Sequence, residues 1–588
     1  MEVTQSNFNS VLIEIQTAIN NCTFLSIDCE LTGLKTAVNS VNAFDSPKQY
    51  YEKIIKDCRE FLVIQYGITL FRFDKDADCF KHKSYNFYTF RRPINKFIQD
   101  QRFLCQTSSV DFLIGNGFDF NKLFKDGISY LNNVEEENCR MTLEEQKRKR
   151  IEFLNSNFSG NNDIIPIPDE HKEFVNKITK TLEEFLESEE SEIQLPKCNA
   201  FLRRLIYQTN TEKFHGKIQL ETRTVEKDRV LVASKVKSRE ERDEIEQKKF
   251  KELFEQMENF IGFSKVIRMI IESGKLMVGH NLMLDFLHTI DKFLTPLPND
   301  YLEFKECANS LFPNVLDTKY MSSNEPFKEI VSSTVLGQLL ESLSGKPFDI
   351  PKYELEEGGQ GYIIDDNKEH EAGYDSFITG LCFLSMWKYI GSQKKWSNSD
   401  MFGKAGLRLL QPYTNKIFLM LLTDGQYLNL SGPDLNPSRD HVFYLTFPKE
   451  WTTNNIVQLF SPFGNVYVAW LTDSSAYVGL FKRDQAAVAL KTLSQSDTYK
   501  IMTYAKRQAQ LTGQRAILPS PVKRRMPNEG PPQTKRRKTD NFNGCTSSSK
   551  RLIQPIEEEE QSEEETDDKG GKGGTSQVKT FTECGTWD

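Results

Sequence analysis

Apolar residues recur along the first part of the chain at two spacings, one typical of helices and one of strands. Residues 7–20 have the helical spacing, and the run 23–31 is typical of a buried strand. A further helix is predicted over 46–59, and strands are predicted over 61–73 and 83–92. Strands mixed with helices in this way predict an α/β core.

This pattern stops after about residue 130 and returns near residue 274. Between these points, charged and polar segments enclose two amphipathic helices and two strand-like runs. A short apolar strand at 274–279 then resumes the first pattern. The sequence therefore predicts a discontinuous first domain, residues 1–135 and 255–400, interrupted by a small α+β insert at 165–240.

A further structural unit is predicted at 435–505, where strands and helices follow one another in the order βαββαβ. This is the ferredoxin-like arrangement that the RNA-recognition motif shares. Tyr477 supplies one aromatic side chain on the predicted third strand, and Ser475 stands where a second would serve RNA stacking. Residues 506–588 have few apolar side chains and blocks of like charge, which predicts a disordered tail.

Composition narrows the class of protein. The chain has 588 residues, a net charge of -8 and 11 cysteines without a CxxC pair. Scattered cysteines favour free thiols in a reducing compartment over a disulfide framework or a zinc site. The N-terminus has no apolar signal core, and no apolar run approaches a membrane span. We therefore expect a soluble intracellular protein with no membrane partner.

Two carboxylates lie close together in the strand at 23–31. Because side chains alternate along a strand, Asp28 and Glu30 share one face and Cys29 points to the other. Burying two carboxylates together is costly unless a cation lies between them, and hard divalent cations prefer oxygen ligands. The alternative is an exposed edge strand that carries two solvated acids.

Three later segments place polar residues where strands end and helices begin. Asp285 follows a strand that ends at His280, and Asp375 lies on a helix five residues after His370. The third segment is the polar cluster Asp317-Thr318-Lys319 at the end of a predicted strand. The order Asp-x-Glu, His-Asn-x-x-x-Asp and His-x-x-x-x-Asp resembles the DEDD exonucleases, in the DEDDh subclass. Longer blocks, among them FDFNKLFKDGISYLN, GHNLMLD, LDTKYM, HEAGYDSFITG and GPDLNP, resemble the poly(A)-specific ribonuclease family from residue 1 to about 505.

The resemblance implies both a fold and an activity. The fold would be a ribonuclease-H-like core with a mixed sheet flanked by helices, and the insert would match a single-stranded nucleic-acid module named for Arg-x-x-x-His. The activity would be removal of poly(A) tails from the 3′ end of messenger RNA, with release of 5′-AMP. Poly(A) RNA and capped mRNA are the implied partners, and a homodimer is the implied assembly.

The resemblance also implies residue roles. Two Mg²⁺ ions would be held by Asp28, Glu30, Asp285 and Asp375. His370 would be the general base, which suits a side chain whose ordinary pKa is about 6.5. Taken singly, each acid could equally be a surface residue or helix cap, and His370 a loop histidine. Cys29 should have little effect, since it faces away from the metals.

RNA contacts are implied for Leu31, Leu34, Asn281 and Lys319, although Lys319 could instead be a strand-end lysine in solvent. Trp470 would stack on the 7-methylguanosine cap, because a cationic base over an indole is favourable. The alternative for Trp470 is a partly buried core aromatic. The insert lacks a clear Arg-x-x-x-His signature, since Tyr207 and Gln208 stand four residues after its paired arginines, so a packing or dimer-covering role remains open.

Two basic clusters in the tail indicate nuclear localisation or, alternatively, nonspecific attraction of RNA. They consist of Lys523, Arg524, Arg525, Lys535, Arg536, Arg537 and Lys538. With these clusters we expect a nuclear and cytoplasmic protein. Two other functions stay open: a non-catalytic RNA- or cap-binding protein on a nuclease fold, and a sister exonuclease that trims 3′ ends of non-coding RNA.

Overall fold

A computed structural model of the chain describes residues 1–35, 41–93, 101–155, 165–214, 217–225, 228–236 and 239–512. Up to residue 155, strands and helices alternate. They are β1 (Glu2–Val3), α1 (Phe8–Asn21), β2 (Phe24–Leu31), α2 (Pro47–Glu60), β3 (Val63–Asp74), β4 (Cys79–Tyr88), α3 (Thr107–Gly115), α4 (Phe120–Asp126) and α5 (Asn133–Asn155).

The insert follows as a small α+β unit. Its elements are α6 (Asp169–Glu187), β5 (Glu192–Gln194), α7 (Ala200–Phe214), β6 (Ile218–Val225) and β7 (Asp228–Lys235). The three strands form an antiparallel sheet in the order β5-β7-β6. Apolar residues of α6 and α7 pack on this sheet, among them Ile178, Leu182 and Ile206. The sequence pattern missed β5 because three residues are too few to show an alternation.

The chain then returns to the first domain. The elements of this part are α8 (Arg239–Ile261), α9 (Ser264–Ser273), β8 (Leu276–Gly279), α10 (Met283–Phe293), α11 (Tyr301–Leu311), β9 (Val315–Asp317), α12 (Thr318–Ser322), α13 (Leu336–Leu343), β10 (Tyr353–Leu355), α14 (Ala372–Ser392), α15 (Asn398–Met401), α16 (Lys404–Leu407), β11 (Lys416–Phe418) and β12 (Tyr427–Asn429). The β11–β12 hairpin extends the first domain beyond the predicted end at residue 400, since the Phe418 backbone N–H donates to Asp317 Oδ2 (2.9 Å).

A mixed seven-stranded sheet forms the centre of the first domain. Its order is β1-β4-β3-β2-β8-β9, with β10 also beside β4. Strands β2, β3 and β4 are antiparallel, whereas β8 and β9 run parallel to β2. One face packs against α1, α2 and α10, and the other packs against α14. The predicted α/β core and its interruption by the insert are both confirmed.

Strand β2 lies inside this sheet, which excludes the edge-strand alternative. Leu25 and Ile27 belong to the core on the α10 side. Ser26 points the other way, and its hydroxyl donates to the Ser376 carbonyl of α14 (2.6 Å). By the same alternation, Asp28 and Glu30 point toward α14 and Cys29 points toward α10.

The last domain has the predicted βαββαβ order. Its elements are β13 (Val442–Thr446), α17 (Thr453–Phe460), β14 (Val466–Thr472), β15 (Ser475–Leu480), α18 (Ala486–Leu493) and β16 (Lys500–Thr503), followed by α19 (Tyr504–Thr512). The antiparallel sheet has the order β14-β15-β13-β16, as in ferredoxin-like folds. Helix α19 continues to Thr512, and the start of the tail at residue 506 stays a prediction. The basic clusters at 523–525 and 535–538 lie outside the described residues.

Across the described ranges, no helix combines the length and the apolar character needed to cross a membrane.

Candidate active site

The centre of the site is the meeting of β2 with the first turn of α14. Ligand atoms of Glu30, His370 and Asp375 all lie within 4.8 Å of one another. Asp28 lies on the same face of β2 as Glu30, and Asp375 is nearly buried in the first turn of α14. The structure therefore brings together residues that are more than 300 positions apart in the sequence.

Strand β3 and strand β4 hold the start of α14 in place. Gln65, the register partner of Glu30, accepts the Ala372 backbone N–H through Oε1 (2.9 Å). Asn86 accepts the Gly373 N–H through Oδ1 (3.1 Å). A Cβ on Gly67, the register partner of Asp28, would lie 1.8 Å from the Ala372 carbonyl oxygen. Only glycine at this position allows α14 to approach so closely.

His370 precedes α14 and has a left-handed backbone, with φ of 68°. This conformation is uncommon outside glycine and requires support from its surroundings. The support comes from Asp375, whose Oδ2 accepts the His370 backbone N–H (2.9 Å). The edge of the His370 ring meets Phe112 with 4.6 Å between ring centres. Backbone and ring are thus both fixed beside the carboxylates.

Asp285 comes from the first turn of α10, a helix whose apolar residues pack on the Cys29 side of the sheet. The Cys29 thiol donates a hydrogen bond to the Asp285 carboxylate. Burial, and then the nearby charge of Asp317, raise the pKa of Asp285 well above its ordinary value. Burial also raises the pKa of Cys29, with further contributions from Asp285 and Asp28. Cys29 faces away from Asp28 and Glu30, as predicted, but its thiol lies beside Asp285, which gives a reason to test the prediction that it has little effect.

Asp317 fixes the turn that leads into α10. Its Oδ1 accepts the backbone N–H groups of Asn281 (3.0 Å) and Lys319 (2.9 Å), and its Oδ2 accepts that of Leu282 (3.0 Å). Asn281 has a left-handed backbone, with φ of 53°. A carboxylate that accepts several N–H groups holds these segments together, so Asp317 positions α10 and therefore Asp285.

Lys319 is buried rather than a solvent-exposed lysine, with 7% of its surface accessible. Its ammonium lies 5.9 Å from the centre of the Phe418 ring. The neighbouring His280 is also buried, and its Nδ1 lies 2.9 Å from the Thr318 hydroxyl. Burial, with a smaller effect of Lys319, lowers the pKa of His280 to about 3. The ring of His280 is therefore neutral at physiological pH.

The other predicted RNA contacts differ in how accessible they are. Leu31 is 6% exposed and belongs to the core on the α10 side, whereas Leu34 is partly exposed. The Leu34 backbone N–H donates to Gln106 Oε1 (3.1 Å). Asn281 is partly exposed, and its Nδ2 lies 3.0 Å from the Met420 sulfur. Contact of RNA with Leu31, Leu34, Asn281 and Lys319 stays a prediction.

The donor set fits a divalent cation. Carboxylate oxygens of Glu30 and Asp375 and a ring nitrogen of His370 converge, and the Asp28 carboxylate shares their face. Oxygen-rich sets of this kind suit hard cations. The raised pKa of Asp285 has the same meaning, because a nearby cation would offset the cost of its buried charge.

In the last domain, Trp470 is 38% exposed, so it is not a core aromatic. Its indole N–H donates to the Thr453 hydroxyl (3.1 Å), and its ring meets Phe447 edge-on at 5.2 Å. One ring face can therefore be held ready for a ligand. Tyr477, in contrast, is 6% exposed and offers little surface to RNA.

Two positioning residues, Gln65 and Asn86, were missed by sequence reasoning, whereas Asp317 was noticed only as part of a polar cluster at a strand end. The available signal was a single polar residue inside an otherwise apolar strand, as in VIQYGITLF and SYNFY. Buried polar groups of this kind need hydrogen-bond partners. In the insert, Arg203 is partly exposed and Arg204 is exposed on α7, and nothing in the structure assigns them a ligand.

Comparison with known families gives matches over both domains. A family model described as CAF1 family ribonuclease matches residues 3–383, and one described as RNA binding domain matches residues 432–510. We call these parts the nuclease domain and the RNA-binding domain below. The nuclease match spans the sheet, the insert and most of α14.

Known proteins with similar sequences extend over most of the chain. Poly(A)-specific ribonuclease PARN of Xenopus laevis is 42% identical over 514 residues, which cover 86% of this chain and 81% of that protein. The Homo sapiens protein of the same name is 42% identical over 515 residues, covering 86% and 80%. The pre-piRNA 3′-exonuclease trimmer of Bombyx mori is 25% identical over 531 residues, covering 88% and 96%. The chain therefore belongs to the CAF1 family of ribonucleases and, within it, to the poly(A)-specific ribonucleases, which are 3′-to-5′ exoribonucleases.

Proposed function

We propose that this exoribonuclease shortens the poly(A) tails of messenger RNA from the 3′ end and releases 5′-AMP. The observation that carries the proposal is the convergence of Glu30, His370 and Asp375 on the face of β2 that Asp28 shares. The names of the Xenopus laevis and Homo sapiens relatives, poly(A)-specific ribonuclease, support poly(A) as the substrate.

The chemistry of the site is hydrolysis of a phosphodiester. Two Mg²⁺ ions would neutralise charge on the attacking and leaving oxygens. Asp28, Glu30, Asp285 and Asp375 would hold these ions. His370 accepts the proton of the attacking water. The contact with Phe112 orients the His370 ring for this role. Leu34, Asn281 and Lys319 contact the 3′ end of the RNA, together with whatever surface of Leu31 remains accessible.

A tail-shortening assay tests this proposal. RNAs that end in oligo(A) or oligo(U) are given to wild type, to Asp28→Asn and to Asp111→Asn, a matched control at an exposed acid of α3. We expect only oligo(A) to shorten, only with Mg²⁺, and only with wild type and the control. RNA binding without shortening by wild type would favour the non-catalytic alternative.

The role of His370 needs a separate test, because its ring nitrogen is close enough to Glu30 and Asp375 to bind a metal itself. If His370 is the base, His370→Gln lowers kcat and leaves the Mg²⁺ concentration for half-maximal activity unchanged. A ligand role would instead raise that concentration. Magnesium titrations of both proteins distinguish the two roles.

The sister-exonuclease alternative is supported by the Bombyx mori relative, which is named for trimming of pre-piRNA. The discriminating substrate is an RNA whose 3′ end contains all four bases. Efficient trimming of this RNA, at the rate of an oligo(A) end, would replace the deadenylase proposal with a general trimming activity.

Cap binding is assigned to Trp470, whose indole is exposed and held by Thr453 and Phe447. A 7-methylguanosine cap analogue should quench the tryptophan fluorescence of wild type and of the control variant Trp396→Ala. It should quench the fluorescence of Trp470→Ala much less. Unmethylated GpppG is the ligand control, since it lacks the fixed positive charge that favours stacking. Equal quenching of all three proteins would remove the cap assignment.

Assembly and location complete the proposal. The protein acts as a homodimer, which light scattering of the purified chain tests directly. It works in the nucleus and the cytoplasm, and replacing Lys535–Lys538 by alanine should shift a fluorescent fusion toward the cytoplasm. A monomeric mass or an unchanged distribution would contradict the respective part.

A further inference from the structure

The sheet of the RNA-binding domain is covered by a residue of the nuclease domain. Phe44 comes shortly after the catalytic strand β2 and is 3% exposed. It packs with Val442, Ala469 and Tyr477 of the RNA-binding domain in one apolar cluster. Tyr477 is the aromatic that RNA would use on a sheet of this type.

The Phe44 ring fits between two aromatic side chains of this sheet. It meets Tyr467 of β14 edge-on at 5.9 Å and Tyr477 of β15 edge-on at 6.1 Å. Beneath it lies Gly479, where an added Cβ would be 2.8 Å from Phe44 Cζ. The lack of a side chain at position 479 thus provides the space that the ring occupies.

Polar contacts surround the ring. The Arg439 guanidinium lies 5.6 Å from the centre of the Phe44 ring and 5.2 Å from that of Tyr504, and it also donates to the Phe44 carbonyl. The Tyr504 hydroxyl donates to the same carbonyl (3.0 Å). A cation between two rings, with the backbone oxygen satisfied, is a specific arrangement rather than incidental contact.

The segment that presents Phe44 is a rigid turn. Asp45 Oδ2 accepts the Asn42 N–H (2.7 Å), and Asn42 Oδ1 accepts the Phe44 N–H (3.0 Å). The Lys53 ammonium of α2 binds the Asp45 carboxylate (2.7 Å). A turn fixed in this way loses little conformational entropy when Phe44 docks.

We propose that the sheet of the RNA-binding domain is an intramolecular docking surface for Asn42–Asp45, anchored by Phe44, and not an RNA-stacking surface. Phe44 is also a positioning residue, because its docking fixes the far end of the chain that leaves β2 and carries Leu34. This second statement rests on the proposed function. Trp470 pairs with Ala476, which faces the helices of this domain, so the assigned cap site is on the other side of the sheet and remains accessible.

The test is a double-mutant cycle in the full-length protein. Phe44→Ala removes the anchor, and Gly479→Ala pushes against it from the other domain. Phe481→Ala is the matched control, because that ring is 70% exposed in the same domain. Hydrogen–deuterium exchange of peptides that cover 41–46 and β15 reports docking without any need for activity.

We expect faster exchange in Phe44→Ala and in Gly479→Ala, no change in Phe481→Ala, and no additional effect of Gly479→Ala once Phe44 is alanine. Cap-analogue quenching should persist in each variant if the domain is folded. Wild-type exchange in Gly479→Ala, or ultraviolet cross-linking of RNA to Tyr477 in wild type, would overturn the docking statement.

The positioning statement has its own readout. The KM for oligo(A) should rise by up to about 100-fold in both single variants, since a misplacement of about 1 Å in a positioning segment can have an effect of this size. A kcat near that of wild type should accompany it. An unchanged KM with increased exchange would refute positioning and leave docking intact, whereas failure of the proposed function would appear as inactivity of wild type itself.

Discussion

Replacement of Gly67 by alanine tests whether the close contact of α14 with β3 sets the geometry of the active site. The new Cβ would lie 1.8 Å from the Ala372 carbonyl oxygen, whereas ordinary contact begins at 3.4 Å. The start of α14 must therefore move by 1.6 Å, the difference between these distances. Asp375 lies three residues further along the same helix and moves with it.

The expected magnitudes follow from this displacement. A misplacement of about 1 Å at a catalytic group can lower the rate about 100-fold, so kcat should fall by at least this factor. Overpacking should also lower the free energy of unfolding by about 1–3 kcal/mol. The expected fall in kcat is thus larger than the expected fall in the fraction of folded molecules at room temperature.

Gly380→Ala is the matched control on the same helix. Its Cβ would lie 2.1 Å from the Phe71 ring, so it overpacks α14 against the same sheet but away from Asp375. Steady-state oligo(A) hydrolysis and urea unfolding are measured for both variants. A kcat of Gly67→Ala within about threefold of Gly380→Ala, at similar stability, would refute the reasoning that this contact sets the geometry.

Further predictions concern buried groups. Burial lowers the pKa of His82 to about 4 and that of His280 to about 3, so both rings fold uncharged. The unfolded chain binds a proton at each of these histidines below about pH 6.5, whereas the folded chain does not. Lowering the pH from 7.5 to 5.5 should therefore reduce the free energy of unfolding by about 1 kcal/mol for each histidine, as measured by urea unfolding. Asp317→Asn should lower stability by about 1–3 kcal/mol, through lost acceptors for buried N–H groups, and should reduce kcat. Cys29→Ala removes the thiol donor to Asp285 and should raise the Mg²⁺ concentration for half-maximal activity.

Each of these predictions has a control and a refuting result. His82→Leu should remove its share of the pH dependence, and an unchanged slope would contradict the assigned pKa. Asp300→Asn alters a capping carboxylate that accepts two backbone N–H groups of α11 at the surface, so its kcat should be that of wild type. Equal kcat losses in the two aspartate variants would remove the positioning role of Asp317. For Cys29→Ala, an unchanged magnesium titration would show that the thiol does not affect metal binding.

The RNA-binding domain shows how far sequence reasoning extends. Its βαββαβ order was predicted correctly, because alternation and turn signals are local properties of the chain. The doubt about stacking on Tyr477 came from Ser475, which replaces an aromatic residue, and from the lack of a basic residue at the start of that strand. The structure adds the physical reason, since Phe44 of the other domain covers that face.

The sequence by itself determined the face that Asp28 and Glu30 share, the order of acids and histidines, and the apolar helix that delivers Asp375. These depend on the period of a strand or helix and on motif spacing, which neighbouring residues encode. Only the tertiary structure decided that α10 brings Asp285 next to β2, that Gly67 allows α14 to approach, and that Phe44 docks on the second sheet. These outcomes depend on which faces meet across hundreds of residues, and such contacts are fixed by the packing of the whole core rather than by any local pattern.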